Sequence, residues 1–464
     1  MTIKRTLIIC GKPRIEDLKI IKTAAQKHSK EIRFWANVET AENFSACKLD
    51  NVVFKSTNLT RASAIKYKHY ELKDTSFQKF ISSELFLETL IISDRVHPLN
   101  LSVNNTLSYL YFVYKEVEMV FQDFKPEIVL FDNVPHDLYA IVSFNYCAQK
   151  KIDHYFLRDG QNIDNSMVYL TNKISLKEHL RIFETNGRTV QVIKEDMYKI
   201  LRQRVNKETP DYMYTFGAIK KEGRIANQIR EAARRVRFQA FEALTKTKWH
   251  GLTKNKAHIE QVLRTKQREL LYYLPLHFQP EATTMPYAGL FASQYIAVAE
   301  VIERLPNNAL LFVKEHPSMA IKSLLNFRRY RSPLFEKYRN DERVIFVPYN
   351  FSNRQLIDGC QNIVSIAGTT LVEALGGKNI VISLVHTLFD NHPLVVTNLK
   401  KISGHSQKLD QEQFGSERYM KDFIDQMLNY EMIEFLSPAN TASRDGKSRK
   451  WNVMNHLIET ELRQ

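Results

Sequence analysis

The sequence predicts an α/β protein with two doubly wound domains, and three observations support this fold class. Two separate regions alternate short apolar runs with longer amphipathic runs, which is the pattern of a parallel sheet whose strands are connected by helices. A strongly basic stretch of different character lies between them. The length of 464 residues exceeds what one typical core holds. We therefore predict domains at 1–213 and 270–400, a basic helical connector at 214–269 and a helical tail at 401–464.

The first region contains five apolar runs of strand length, at Thr6–Cys10, Ile32–Trp35, Val52–Phe54, Glu127–Phe131 and His154–Leu157. Amphipathic runs between them predict helices at Phe77–Ile92, Ser102–Phe121 and Asp137–Gln149. Strands that alternate with helices usually pair in parallel. We therefore expect a largely parallel sheet.

The connector is rich in lysine and arginine, and its apolar residues recur every three or four positions, which predicts basic amphipathic helices. Such helices either pack one face and solvate the other, or lie against anionic lipid headgroups on the inner face of a membrane. The net charge of +15 gives the whole chain a long-range attraction to anions. Nucleic acid is not expected, because the connector does not interleave aromatic and basic residues.

The second region repeats the alternating pattern. Its strand-like runs are Leu270–Leu274, Ala309–Val313, Val344–Val347, Asn362–Ile366 and Asn379–Leu384. Its helix-like runs are Gly289–Arg304, Ala320–Phe327, Asn353–Cys360 and Thr369–Gly376. This order predicts a second doubly wound domain.

The location of the protein is predicted from its cysteines and its apolar runs. The four cysteines are far apart and form no C-x-x-C pair, which argues against a disulfide framework and a zinc site. No apolar run approaches the roughly 20 residues that span a bilayer. We expect a cytoplasmic protein, with a peripheral position on the inner membrane as the alternative that the basic connector suggests.

Polar residues follow several predicted strands of the second region, where open α/β sheets bind ligands. They are His277, Gln279 and Glu281 after the first strand, Lys314 and His316 after the second, and Ser365, Gly368, Thr369, Thr370 and Glu373 after the fourth. Small hydroxyl residues and a glycine at a helix start favour an anion, because free backbone N–H groups point at it. These residues predict a site for a phosphate-bearing donor.

Three segments of this region together resemble the capsule polysaccharide biosynthesis proteins, a group of bacterial glycosyltransferases with the GT-B fold. They are Leu276–Glu281, Lys314–Pro317 and the Ser-x-x-Gly-Thr-Thr-x-x-Glu-Ala segment at Ser365–Ala374. The resemblance covers roughly residues 270–390, and the first domain only thinly. It implies two Rossmann-like domains that face a cleft, with the donor in the second. In the broader fold a carboxylate at the position of Glu373 is associated with the donor ribose.

The His-Pro and Ser/Thr motifs are also similar to those of sialyl- and Kdo-transferases, in which they bind the phosphate of a CMP-sugar. Those enzymes carry a general base in an acidic residue followed by glycine. Asp159-Gly160 is the matching pair here, although Arg158 stands where the family often has a second acidic residue. Asp132, at another strand end, is the reserve candidate, and His316 is the second catalytic candidate. No Asp-x-Asp occurs in the sequence, so we expect neither a metal nor another cofactor.

The resemblance implies transfer of a sugar from a nucleotide-activated donor to a bacterial surface polysaccharide or glycolipid. The motifs lean toward a CMP-linked acidic sugar of the sialic acid or Kdo type, while the Gly-Thr-Thr-x-x-Glu-Ala run is also similar to UDP-sugar enzymes. Two alternatives stay open. One is a polyol-phosphate transferase or nucleotide-sugar epimerase on the same fold, and the other is a non-catalytic, membrane-associated capsule assembly protein.

Overall fold

The computed structural model describes residues 5–10, 13, 15, 18–19, 22–23, 31–37, 41–48, 52–55, 75–83, 86–96, 103–135, 137–159, 167–171, 181–184, 195, 255–279, 284–285, 288–316, 334, 337–348, 351–366, 370–375, 379–385, 394–397, 433–435 and 454. The chain divides into two compact units. The first unit combines Met1–Asp196 with Leu428–Gln464, and the second is Met197–Met427. The boundaries at 213, 269 and 400 stay predictions.

The described strands are, in chain order, β1 (Thr6–Ile9), β2 (Ile32–Asn37), β3 (Val52–Lys55), β4 (Ile128–Phe131), β5 (Asp153–Asp159), β6 (Met167–Thr171), β7 (Arg181–Glu184), β8 (Leu271–Pro275), β9 (Leu310–Lys314), β10 (Val344–Val347), β11 (Asn362–Ser365), β12 (Ile380–Ser383), β13 (Val395–Val396) and β14 (Ile433–Phe435). The described α-helices are α1 (Ala41–Ala46), α2 (Thr75–Ile81), α3 (Phe86–Val96), α4 (Val103–Phe124), α5 (Leu138–Lys150), α6 (Lys256–Thr265), α7 (Gln294–Arg304), α8 (Asn353–Gly359) and α9 (Thr370–Leu375).

The described strands of the first unit form one sheet in the order β3-β2-β1-β4-β5-β6-β7-β14. The five strands from β1 to β5 pair in parallel, as their continuous apolar runs predict. β6 runs antiparallel to both β5 and β7, so the sheet is mixed at this end. Strands β6 and β7 were not predicted from the sequence.

Two other predictions for this unit need correction. The helix predicted at Phe77–Ile92 is two helices, α2 and α3, and the described residues between them, Ser82 and Ser83, form a turn and a bend. The Ser83 hydroxyl donates to the Phe80 carbonyl at 2.7 Å, and such local bonds compete with helix continuation. Within the tail predicted as helical, Ile433–Phe435 form strand β14, which pairs in parallel with β7. The helical runs predicted elsewhere in the tail lie outside the described residues.

The described strands of the second unit form a parallel sheet in the order β10-β9-β8-β11-β12-β13. Numbered from its own first strand, this is the doubly wound order 3-2-1-4-5-6. All five predicted strands are confirmed to within one residue at each end, and only the two-residue β13 was missed. The predicted helix at Ala320–Phe327 lies outside the described residues.

Helices cover both faces of this sheet. One face packs Leu274, Val313 and Val364 against Ala297 and Val301 of α7 in a continuous apolar core. Side chains one position along each strand point to the other face, where α8 packs on β8 and α9 packs on β11 and β12. Both faces of a parallel sheet are thereby buried. The two Rossmann-like folds of the prediction are confirmed for the described residues.

The part of the basic connector that the structure describes agrees with the predicted amphipathic helix. In α6 the Ile259 side chain is buried, while Lys256 and Arg264 are exposed. The Asn255 side chain caps its first turn by accepting a hydrogen bond from the Ala257 N–H at 2.6 Å. Residues 214–254 lie outside the described part of the chain. Among the residues that the structure describes, no helix has both the length and the apolar composition needed to cross a membrane.

Candidate functional site

The strand order of the second sheet fixes where a ligand site is expected. The order reverses between β8 and β11, whose following helices lie on opposite faces of the sheet. In doubly wound folds this reversal opens a crevice outside the carboxyl ends of the strands. In the sequence, every predicted donor-binding residue ends or follows β8, β9 or β11. The topology therefore places the described members of this set, His277, Gln279, Lys314, His316, Ser365, Thr370 and Glu373, along one edge of the sheet, at and beside the reversal.

The loop after β8 is held by the start of α7. The His277 N–H donates to Gln294 Oε1 at 2.9 Å, and Gln294 Nε2 donates back to the His277 carbonyl at 3.1 Å. The Gln279 side chain is buried, and its amide nitrogen donates to the Ala292 carbonyl. Gln279 thus helps to hold its own loop, while the half-buried His277 ring extends from a backbone that Gln294 fixes. Glu281 lies outside the described residues.

Lys314, at the carboxyl end of β9, is buried rather than displayed to solvent. Its ammonium donates to Asn353 Oδ1 at 2.6 Å, and the Tyr273 hydroxyl donates to the same oxygen at 3.1 Å. Tyr273 and Lys314 share a face of the sheet because their strands pair in register, with Pro275 opposite Lys314. Asn353 is the first residue of α8, the helix that covers this face. Three elements therefore meet at one carboxamide oxygen.

Burial changes the chemistry of Lys314. Desolvation lowers the pKa of its ammonium from 10.5 to about 8, and the carboxylates of Glu373 and Glu315 partly oppose this shift. Glu373, in the first turn of α9, is therefore electrostatically linked to Lys314 on β9. Two predicted donor-binding residues from different strand ends are thus brought together. Near neutral pH the ammonium stays charged in the protein interior.

His316 lies on a different side of this strand end. The His316 N–H donates to Oε1 of the buried Glu315 at 2.7 Å, and the His316 ring lies 6.1 Å from the Phe278 ring, measured between centroids. Phe278 belongs to the loop after β8 and packs on the core below α7. The His316 ring is therefore next to that loop, whereas Lys314 contacts α8. Both loops contribute to the same edge of the sheet.

Ser365, at the end of β11, is buried together with its hydroxyl oxygen, Oγ. Among the residues that the structure describes, its Oγ has no hydrogen-bond partner. Its register partner Ser383 on β12 satisfies its own hydroxyl by donating to the Val385 carbonyl at 2.6 Å. Thr370 is buried at the first position of α9. Gly368 and Thr369, the other predicted residues of this segment, lie outside the described residues.

In the first unit the two carboxylate candidates follow neighbouring strands. The Asp132 N–H donates to the Ile9 carbonyl at 3.1 Å, so Asp132 lies between β1 and β4, where the order of this sheet also reverses. Asp159 ends β5, with its backbone paired to Val168 of the antiparallel β6. Its side chain lies outside the described part of the structure. The role of either residue as a base stays a prediction.

Three residues of the candidate site were not found from the sequence, namely Tyr273, Gln294 and Asn353. Each acts through a contact between residues far apart in the chain, with separations of 17 to 80 positions. The one local signal was a lysine ending an otherwise apolar strand, Leu310–Lys314, because a buried ammonium needs an acceptor. That signal predicts that an acceptor exists but does not identify it.

Solved structures that align with most of this chain include UDP-GlcNAc 2-epimerases, glycosyltransferases and a protein in complex with UDP-glucose. They include the UDP-GlcNAc 2-epimerase from Methanocaldococcus jannaschii, with 12% identity, a TM-score of 0.24 and coverage of 97% of this chain and 98% of that one. A glycosyltransferase from Rickettsia africae has 10% identity and a TM-score of 0.25, covering 99% and 100% of the two chains. Anabaena HepE in complex with UDP-glucose has 8% identity and a TM-score of 0.27, covering 91% and 95%.

No protein-family model and no curated protein matches the chain. Similarity at such low identity and TM-score carries no argument about activity, so the capsule polysaccharide family stays a prediction. In the described part of the chain, no three His, Cys, Asp or Glu residues are grouped so that they could hold a metal ion. The expectation of a site without metal or cofactor likewise stays a prediction. Any function has to be argued from the residues of the site.

Proposed function

We propose that this protein is a glycosyltransferase of the GT-B class that binds a nucleotide-activated sugar at the carboxyl edge of its second sheet. The observation that carries the proposal is the reversal of strand order between β8 and β11, combined with polar residues after β8, β9 and β11. The first unit is a second α/β fold with carboxylates at its strand ends, which suits the acceptor side. Fold alone does not determine function, so the chemistry of these residues is decisive.

The proposed reaction needs opposite charges at its two ends. Departure of the nucleotide leaves negative charge on its phosphate, while the acceptor hydroxyl must lose a proton. Lys314, His316 and the Ser365–Thr370 segment are proposed to stabilise the phosphate, and Glu373 to contact the ribose. A carboxylate of the first unit, Asp159 with Asp132 in reserve, is proposed as the base. No metal is invoked, since positive side chains and N–H groups can replace one.

The donor is proposed to be a CMP-linked acidic sugar, with UDP-sugars as the competing class. Thermal unfolding in the presence of CMP, UDP and GDP separates the two. Stabilisation by CMP but not by UDP or GDP supports the proposal, because a ligand that binds only the folded state stabilises it by RT ln(1 + [L]/Kd). Stabilisation by UDP alone refutes a CMP-linked donor and leaves a nucleotide-sugar enzyme.

Transfer is distinguished from epimerisation by following a donor labelled in the sugar. A transferase moves the label to an acceptor, whereas an epimerase changes the sugar on its nucleotide without any acceptor. His316→Ala is expected to abolish activity in a protein that still folds. An unchanged function in that variant would support a non-catalytic assembly protein instead.

The acceptor is proposed to be a bacterial surface polysaccharide or glycolipid, reached from the inner face of the membrane through the basic connector at 214–269. The exposed Lys256 and Arg264 on α6 belong to the described part of that surface. Sedimentation with anionic and neutral liposomes at physiological salt tests the contact. Binding to duplex DNA in place of anionic liposomes would refute it.

A further inference from the structure

Asn353 has an orientation that chemistry alone determines. The oxygen and nitrogen of a carboxamide are difficult to tell apart by shape, and they are assigned from their hydrogen-bond partners. A lysine ammonium can only donate, so the Asn353 atom 2.6 Å from Lys314 Nζ must be the oxygen. The Tyr273 hydroxyl, 3.1 Å away, is a second donor to this oxygen. Both donors come from the sheet below α8.

The amide nitrogen of Asn353 must therefore point away from these donors. Among the described residues Nδ2 has no hydrogen-bond partner, and the side chain is half-buried rather than fully enclosed. Its two N–H groups belong to a carboxamide whose oxygen is held by a charged donor. Chains of hydrogen bonds polarise one another, so these N–H groups are stronger donors than those of an isolated amide. Asn353 is thus a fixed and unused donor at the carboxyl edge of the second sheet.

We propose that Asn353 donates a hydrogen bond from Nδ2 to an acceptor oxygen of the nucleotide bound at this edge. This inference rests on the proposed function and adds a contact to its site. A phosphoryl oxygen and a carbonyl oxygen of the base share the required chemistry, since both accept N–H donors. Tyr273, together with Lys314 in addition to its proposed role toward the phosphate, then holds the Asn353 amide with its nitrogen outward. The contact uses the side chain and needs no contribution from the helix dipole.

Asn353→Asp is the decisive variant. Aspartate has nearly the same shape and can accept from both Lys314 and Tyr273, so the link from the sheet to α8 is retained. It differs by lacking the two N–H donors and by carrying a negative charge. The affinity for CMP, UDP and GDP is measured by isothermal titration calorimetry on the full chain. We expect affinity for the nucleotide that the wild type binds to fall by about 10- to 100-fold, in line with loss of a hydrogen bond to a charged or polar ligand.

Two controls separate the contact from other effects. Ser352→Ala removes the hydroxyl that caps α8 by accepting from the Gln355 N–H, and it should weaken the helix start without changing nucleotide affinity. Repeating the titration at about 0.5 M salt screens repulsion by the new carboxylate but cannot restore a missing donor. The loss of affinity should therefore persist. If Asn353→Asp does not fold, Asn353→Ser also removes the amide donors, and its unfolding free energy, measured alongside, reports the separate loss of the acceptor for Lys314.

Each outcome is decisive. Equal affinity of wild type and Asn353→Asp, or recovery of affinity at high salt, refutes the contact and leaves the proposed function intact. A wild type that binds none of the three nucleotides refutes both. A loss of affinity that is also seen with the uncharged nucleosides cytidine or uridine assigns the contact to the base. A loss confined to the nucleotides assigns it to the phosphate.

Discussion

Replacing Lys314 with methionine should change how stability depends on pH. The ammonium is buried, and its pKa falls from 10.5 in the unfolded chain to about 8 in the folded protein. Below about pH 8 both states bind the proton, so folding carries the full cost of the buried charge. Between those two values the folded protein has lost its proton while the unfolded chain keeps it. The free energy of unfolding therefore rises with pH across this window.

The magnitude follows from the two pKa values. One pKa unit corresponds to about 1.36 kcal/mol, so burial of the Lys314 charge costs roughly 3 kcal/mol near neutral pH. Most of that cost, about 2 to 3 kcal/mol, should disappear between pH 7 and pH 10. Lys314→Met has a similar length and no charge, so it lacks this pH-dependent gain. Carboxylates titrate near pH 4 and add no slope in this window.

The assay is urea unfolding of both proteins, followed by far-UV circular dichroism at several pH values from about 7 to 10. The quantity of interest is the difference in unfolding free energy between wild type and variant, because all other titrating groups cancel. Lys266→Met, at the exposed end of α6, is the matched control because it removes a lysine that water surrounds. A wild-type-minus-variant difference that stays level with pH would refute a buried, titrating ammonium.

Three further predictions concern packing and loop positioning. Gln294→Ala should destabilise the second unit by about 2 kcal/mol in urea unfolding, because it removes both bonds to the His277 backbone; a change below about 0.5 kcal/mol would contradict this role. Asn379→Ala should cost about as much, since the buried Nδ2 donates to the Ile357 and Cys360 carbonyls, and Asn379→Asp should not restore stability. Gly359→Ala places a methyl group 2.7 Å from Leu263 Cδ2, so we expect a loss of about 1 kcal/mol that Leu263→Ala partly relieves in the double variant.

The parallel parts of both sheets could be predicted because their strands are buried on both sides. Val344–Val347 and Ile380–Ser383 are apolar at almost every position, and the structure has strands at both. The strands β6 and β7 were missed because they lie beyond the helix-alternating pattern, where a hairpin replaces the crossover. The break between α2 and α3 depends on a serine hydroxyl that also fits an exposed helix face. Periodicity does not distinguish these two uses of serine.

The candidate site was predictable as a set of strand ends but not as a set of contacts. Lys314 and Ser365 were predicted because they stand at the ends of apolar runs, and Glu373 because of the resemblance of the segment that contains it. The sequence contains no sign that Lys314 meets Asn353, since that contact depends on α8 crossing over β8. It also contains no sign that Gln279 is buried against Ala292, because a polar residue in a loop usually faces water. Tertiary packing decides both.

The pairing of β14 with β7 has a consequence for the order in which this protein can be made. β7 is complete once the ribosome has passed residue 184, but the strand that pairs with it is synthesised some two hundred and fifty residues later. Throughout that interval the backbone groups of β7 on this side have no strand partner, and open edges can pair with other chains. The second unit is contiguous, from Met197 to Met427, and can fold on the nascent chain before the first sheet closes. Fragments that end before residue 433 lack the strand that pairs with β7. They are therefore expected to aggregate more readily than the full chain.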